Sequence, residues 1–138
     1  MRYILTILTI SLLLNANYLE VGERVVDSKT NLQWQNDNQV NSIQKSWKEA
    51  INFCENLELD GYKDWRLPNI VELSSIIDVT KPQPVIAEIF KNRAGDFWSS
   101  TTKAQDSTVA WIVIFNYGIE YFKDKKDKYF VRCVRGGI

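Results

Sequence analysis

A chain of 138 residues with 17 basic and 17 acidic side chains has no formal net charge, which argues against a general nucleic-acid or heparin-type binder, since these carry a clear basic excess. Histidine is absent, so a Ser-His-Asp triad, a Cys-His pair and a two-histidine iron site are excluded. Five tryptophans, six tyrosines and six phenylalanines make the chain aromatic; packing is the ordinary use of such rings and a ligand surface the second.

The first residues, MRYILTILTISLLLNANYLE, place one cation at Arg2, an apolar run from Tyr3 to Leu14, and then Asn15, Ala16 and Asn17. That is the layout of a secretory signal peptide. The run is about a dozen residues long, against the roughly 20 of a membrane-spanning helix. Residues 1–17 are therefore predicted to be a cleaved leader, with a retained membrane anchor as the alternative, and residues 18–138 the mature domain. No cysteine ends the leader, which disfavours a lipid anchor. Loss of Arg2 leaves 16 basic against 17 acidic side chains, a net charge of about −1. Roughly 120 residues make one ordinary domain.

From Arg24 to Gln35 the sequence reads as a hairpin turning at Asp27 to Asn31. Asn36 to Ser42 is a polar loop. Ser46 is predicted to cap a first helix in a capping box with Glu49. Trp47, Ala50, Ile51, Cys54 and Leu57 recur at helical spacing, which puts Cys54 on the buried face. Gly61 stops that helix, and Asp60 to Asn69 is a loop stiffened at Leu67-Pro68. Asn69 caps a second helix with Glu72 at the third position, and Ile70, Leu73, Ile76 and Ile77 form its apolar stripe. Pro82 and Pro84 end it, and a short helical turn is expected near Ile86 to Phe90.

The remainder changes period. Phe97 to Ser100, Thr108 to Phe115, Ile119 to Phe122 and Tyr129 to Arg135 read as strands. Residues 109–115 are apolar on both faces, as an interior strand requires. Asn116-Tyr117-Gly118 is a hairpin turn, and Lys123 to Lys128 a charged loop. The order is α+β, two helices packed on antiparallel strands.

In an exported protein the two cysteines, Cys54 and Cys133, have one possible pairing, a bridge closing a loop of roughly 80 residues. The alternatives are two free buried thiols, or half of a zinc site that would need further soft or imidazole ligands.

The succession LQWQ, W-x-x-A with a helical Cys, DGYKDWRLPNIVEL, FWSST, AWIVIF, NYG and VRCVRG, from Val26 to Gly136, resembles the Lcl C-terminal domain family of bacterial surface and exported proteins. The resemblance implies a C-type-lectin-like fold, of the group that includes the formylglycine-generating enzymes, in which Arg66-Leu67-Pro68 starts a helix and a strand bearing Arg132-Cys133 closes the domain. It also implies a cysteine bridge from the first helix to the last strand. Some members are adhesins for sulfated polysaccharides.

Copper-thiolate chemistry of the formylglycine-generating kind would need two redox-active cysteines, and the two here are expected to be bridged, so no enzyme activity is expected. Asp60, Asp64, Asn69 and Glu72 crowd one loop with oxygen ligands that would suit calcium. Turn, cap and ion-pair roles, Asp64 with Arg66 among them, explain the same residues without a metal. No cofactor or metal site is otherwise expected. Trp65, Arg66, Leu67, Pro68, Asn69, Trp98, Ser99, Ser100, Trp111 and Arg132 carry the family signature and read as scaffold.

Lys123, Lys125, Lys126 and Lys128, with Tyr117 and Tyr121, form a basic and aromatic patch that could meet an anionic glycan, although Asp124 and Asp127 interrupt it. Ligand binding is expected in the loops from Lys103 to Ser107 and Tyr117 to Lys128. The expected function is a periplasmic or extracellular binding module, adhesin-like, recognising a glycan or protein surface, with no nucleic-acid partner and no membrane span after leader removal. The rivals are an assembly subunit of a surface complex and a degenerate relative of the formylglycine-generating enzymes.

Overall fold

The computed structural model describes residues 17–137; the predicted leader, apart from Asn17, lies outside the described residues. In chain order the elements are β1 (Tyr18–Val21), β2 (Arg24–Asp27), β3 (Leu32–Gln35), a 3-10 helix (Asn38–Asn41), β4 (Gln44–Lys45), α1 (Trp47–Glu55), α2 (Ile70–Ser74), β5 (Asp96–Lys103), β6 (Asp106–Ile114), β7 (Ile119–Asp124), β8 (Tyr129–Phe130) and β9 (Val134–Gly136). They build an α+β fold with two sheets, ordered β1-β2-β3-β9 and β4-β8-β5-β6-β7. The short strands β1 and β4 extend what the sequence predicts.

Successive residues of a strand face opposite sides, and the second sheet uses both. Trp98, Ala110 and Ile112 pack with Ala50 and Cys54 of α1. Their neighbours Phe97 and Val113 pack with Leu73 of α2, with Ile76, and with Val25, Trp34 and Val134 of the first sheet. The expectation of an interior strand at residues 109–115 is met, because β6 lies between β5 and β7.

Several expectations are corrected. Tyr129 to Arg135 is not one strand: β8 joins the second sheet, where it runs parallel to β5 at Phe97 and Phe130, and β9 joins the first. The chain leaves the strand path at Val131 to Cys133 because Arg132 and Cys133 are both wholly buried between the sheets. Ser46 sits at the α1 N-cap, but its side chain makes no capping bond. The Trp47 N–H donates instead to the Lys125 carbonyl at 3.0 Å. Near Ile86 to Phe90 a single turn forms, closed by the Phe90 N–H on the Ala87 carbonyl at 3.2 Å, while Ile86 bridges Ile77.

The first helix is joined to the segment before β9 by the Cys54–Cys133 disulfide, with Cα atoms 5.4 Å apart. Both cysteines lie fully inside the core, so the bridge ties α1 to the seam between the two sheets.

Trp65 is 2% exposed, and its indole Nε1 donates to the Leu59 carbonyl at 3.4 Å. Trp111, expected in the core, is half-buried and edge-on to Phe122 at 5.7 Å. Trp65→Ala should therefore lower the unfolding free energy by about 3–5 kcal/mol, and Trp111→Ala by only about 1–2 kcal/mol. Urea denaturation of both variants decides this, and equal losses would refute the placement of Trp111.

Candidate functional site

Most of the signature residues are held by the scaffold. Arg66 pairs through its backbone with Val134, and its guanidinium donates to both Glu72 carboxylate oxygens at 2.6 and 2.7 Å and to the Gly136 carbonyl at 3.1 Å. Glu72 in turn completes the α2 capping box with Asn69. Leu67 and Pro68 are buried, and the Pro68 carbonyl accepts from the Ser100 N–H at 2.7 Å. Ser99 donates to the Trp111 carbonyl at 2.7 Å and Trp98 Nε1 to the Lys45 carbonyl at 2.8 Å. Capping bonds to Glu72 and long-range bonds to Ser100, Val134 and Gly136 thus account for the motif from Trp65 to Asn69.

The acidic loop residues are engaged with arginines. Asp60 accepts from Arg24 at 2.9 Å, Asp64 from Arg135 at 2.6 Å, and Glu72 from Arg66. Asp64 therefore does not pair with Arg66. Its bond from Arg135 holds the Asp64 carboxyl below its usual range. Among the described residues no group of three or more histidine, cysteine or acidic side chains is placed to hold a metal ion.

The tyrosine and lysine candidates divide. β7 is an edge strand, paired only with β6, and alternation puts Ile119, Tyr121 and Lys123 on one face. Their register partners are Ile114, Ile112 and Ala110, so this row projects on the side of the sheet that α1 covers. α1 packs over β4 and β5, two strands away from β7, and Ile119 and Tyr121 remain about half exposed, at 49% and 48%. Tyr117, 62% exposed, sits in the turn before them, which closes at Gly118 with a left-handed φ of 71°.

Lys123 Nζ lies 5.7 Å from the Tyr121 ring centroid and 5.8 Å from that of Tyr129. Tyr129 is itself set edge-on to Trp98 at 5.1 Å. Burial raises the Asp96 carboxyl pKa while the Lys123 charge opposes the shift. Burial raises the Tyr129 hydroxyl as well, helped by Asp127, Asp96 and Asp124, so the tyrosine stays protonated at neutral pH. Two aromatic faces, one cation and one carboxylate are thereby gathered on an exposed sheet face, a set suited to stacking and hydrogen bonding.

Lys125 does not belong to this set. Its Nζ lies 3.9 Å from the Trp47 ring centroid and donates to Thr102 Oγ1 at 2.9 Å, fastening the connection between β7 and β8 to the start of α1 and to β5. Lys126 and Lys128 are exposed in that connection. The two expected loops meet in part: the Lys125 N–H donates to the Thr108 carbonyl at 2.9 Å, which sets residues 123–128 beside the turn of residues 104–105, whereas Tyr117 lies in the turn at the other end of β6. Asp96 was not foreseen, since it is sheet register, through Ile114, that brings it into the row of Ile119, and its carboxyl feels the Lys123 charge.

The family model of the Lcl C-terminal domain matches residues 23–135. No curated protein matches the chain.

Proposed function

The chain belongs to the Lcl C-terminal domain family, and from that premise we propose that it is an exported binding module of C-type-lectin-like fold. In this reading it recognises a glycan or protein surface outside the cytoplasm and carries out no reaction there. The observation that carries it is the row of half-exposed Ile119 and Tyr121 with partly buried Lys123, Lys123 Nζ lying 5.7 and 5.8 Å from the ring centroids of Tyr121 and Tyr129. Exposed aromatic rings in contiguous array mark interaction surfaces more often than scaffold. Support for export comes from the bridged cysteines, which persist in oxidising compartments, and from the sequence of the leader. Support for the lectin-like fold comes from the bridge between the first helix and the approach to the last strand.

Asp96, Asp124 and Asp127 lie near Tyr129, and Asp96 near Lys123, which favours a sugar ring held by stacking and paired polar groups over a densely anionic polymer. A glycan and protein array with the purified protein should return a ligand. Tyr121→Ala and Lys123→Gln should each weaken it by about 1 kcal/mol, roughly fivefold, without moving the thermal midpoint. Unchanged binding by both variants would overturn the placement, and arrays without any ligand would overturn the function.

A further inference from the structure

One side of α1 flanks the core that Ala50 and Cys54 enter, and Phe53 on it packs partly against that core. Glu49, Asn52, Phe53 and Asn56 recur on it at the three- and four-residue spacing of a single helix face. Across from them stand Gln39 of the 3-10 helix and Lys45 of β4, and together with Leu57 they line an open groove of about 410 Å³, within the size range of small-molecule sites. Phe53 is half-buried and Leu57 buried, so the floor is apolar, while amides form the walls.

Two of those amides are already oriented. Asn56 Nδ2 donates to the Asn52 carbonyl at 2.8 Å and Gln39 Nε2 to Asp37 Oδ2 at 2.8 Å, which leaves each amide oxygen as a fixed acceptor. Asn52 is exposed and presents both a donor and an acceptor. No ion pair among the described residues uses Lys45 or Glu49, and their opposite charges leave the groove neutral. An aromatic floor ringed by amides, with one donor cation and one acceptor carboxylate, matches a molecule that has a flat apolar face and a polar rim but no charge.

We propose that this groove binds a neutral sugar one or two pyranose rings long, stacked on Phe53 and hydrogen-bonded by Gln39, Asn52 and Asn56. The site is independent of the Tyr121 row, which lies on β7, and stands or falls separately from it.

Amide resonances of the isotope-labelled protein are followed during titration with cellobiose, lactose and N,N′-diacetylchitobiose, with a sulfated disaccharide as the charged control. At least one neutral disaccharide should shift Lys45, Glu49, Asn52 and Phe53, with an affinity insensitive to salt and unchanged in Tyr121→Ala. Phe53→Leu removes the ring but keeps an apolar floor, and Asn52→Ala alters only an exposed side chain. Each should weaken that sugar about tenfold with the thermal midpoint retained. The site is refuted if none of the three sugars shifts these resonances, if shifts appear only at the Tyr121 row, if the sulfated control binds the groove more tightly, or if either variant binds as the parent does.

Discussion

Replacing Arg132 by methionine should destabilise the protein by about 3–5 kcal/mol, a loss of the same size as that expected for Trp65→Ala. Arg132 is wholly buried. Its guanidinium donates to the carbonyls of Gln35 and Asn92 at 3.1 Å each, to the Lys91 carbonyl, and to Asn36 Oδ1 at 3.4 Å. The Phe90 and Phe97 rings lie 5.2 Å from it. Burial lowers its pKa to about 9, opposed by the Asp37 charge, so the group is still a cation at neutral pH. The acceptors come from β3 and from the chain before β5, and a planar fork of donors joins both in one step. Methionine would match much of the volume but leave several buried acceptors without a donor, each costing about 1–3 kcal/mol. Arg132→Lys should recover only part of the loss, since a single ammonium cannot reach all four positions. Urea denaturation measures both variants; a loss below about 1 kcal/mol for methionine would mean that water replaces the guanidinium at little cost.

Arg132 also marks where sequence reasoning reached its limit. The alternation of Tyr129 to Arg135 is local and reads as one strand, but the cage of carbonyls that draws Arg132 inward comes from residues 35–36 and 91–92, which no local period reveals. The Asn69 and Glu72 capping box was legible because both partners lie within one turn. The box expected at Ser46 does not form, and the free Trp47 N–H beside it donates to the carbonyl of Lys125, far along the chain. The same distinction divides the candidate site. Ile119, Tyr121 and Lys123 share a face by simple alternation, whereas Asp96 reaches them through sheet register. Lys125 reads as a surface cation until the fold sets it against Trp47.

Opening the Cys54–Cys133 bridge should cost about 4–5 kcal/mol in the chain-entropy model, because the cysteines are separated by 79 residues and the unfolded chain regains a long loop. The segment that carries Cys133 is also held without the sulfur: its N–H donates to Gln35 Oε1 at 3.0 Å, and its carbonyl accepts from the Gln35 N–H at 2.9 Å. α1 is tied in this way only at its start, where the Trp47 N–H and Nε1 donate to the Lys125 and Ser99 carbonyls at 3.0 Å each, and its buried face contributes only Ala50 and Cys54 fully to the core. A Cys54→Ala, Cys133→Ala variant should therefore keep β3 and β9 paired while α1 exchanges its amide hydrogens faster than the sheets do. Hydrogen exchange locates the loss and urea denaturation of oxidised, reduced and double-alanine protein measures it. Because Arg132 adjoins Cys133 and both bind the Gln35 region, combining Arg132→Met with the open bridge should give a loss that differs from the sum of the two. Equal urea midpoints for the oxidised and reduced protein would remove the bridge from the account of stability, and uniform exchange across α1 and both sheets would show that α1 is not the element the bridge secures.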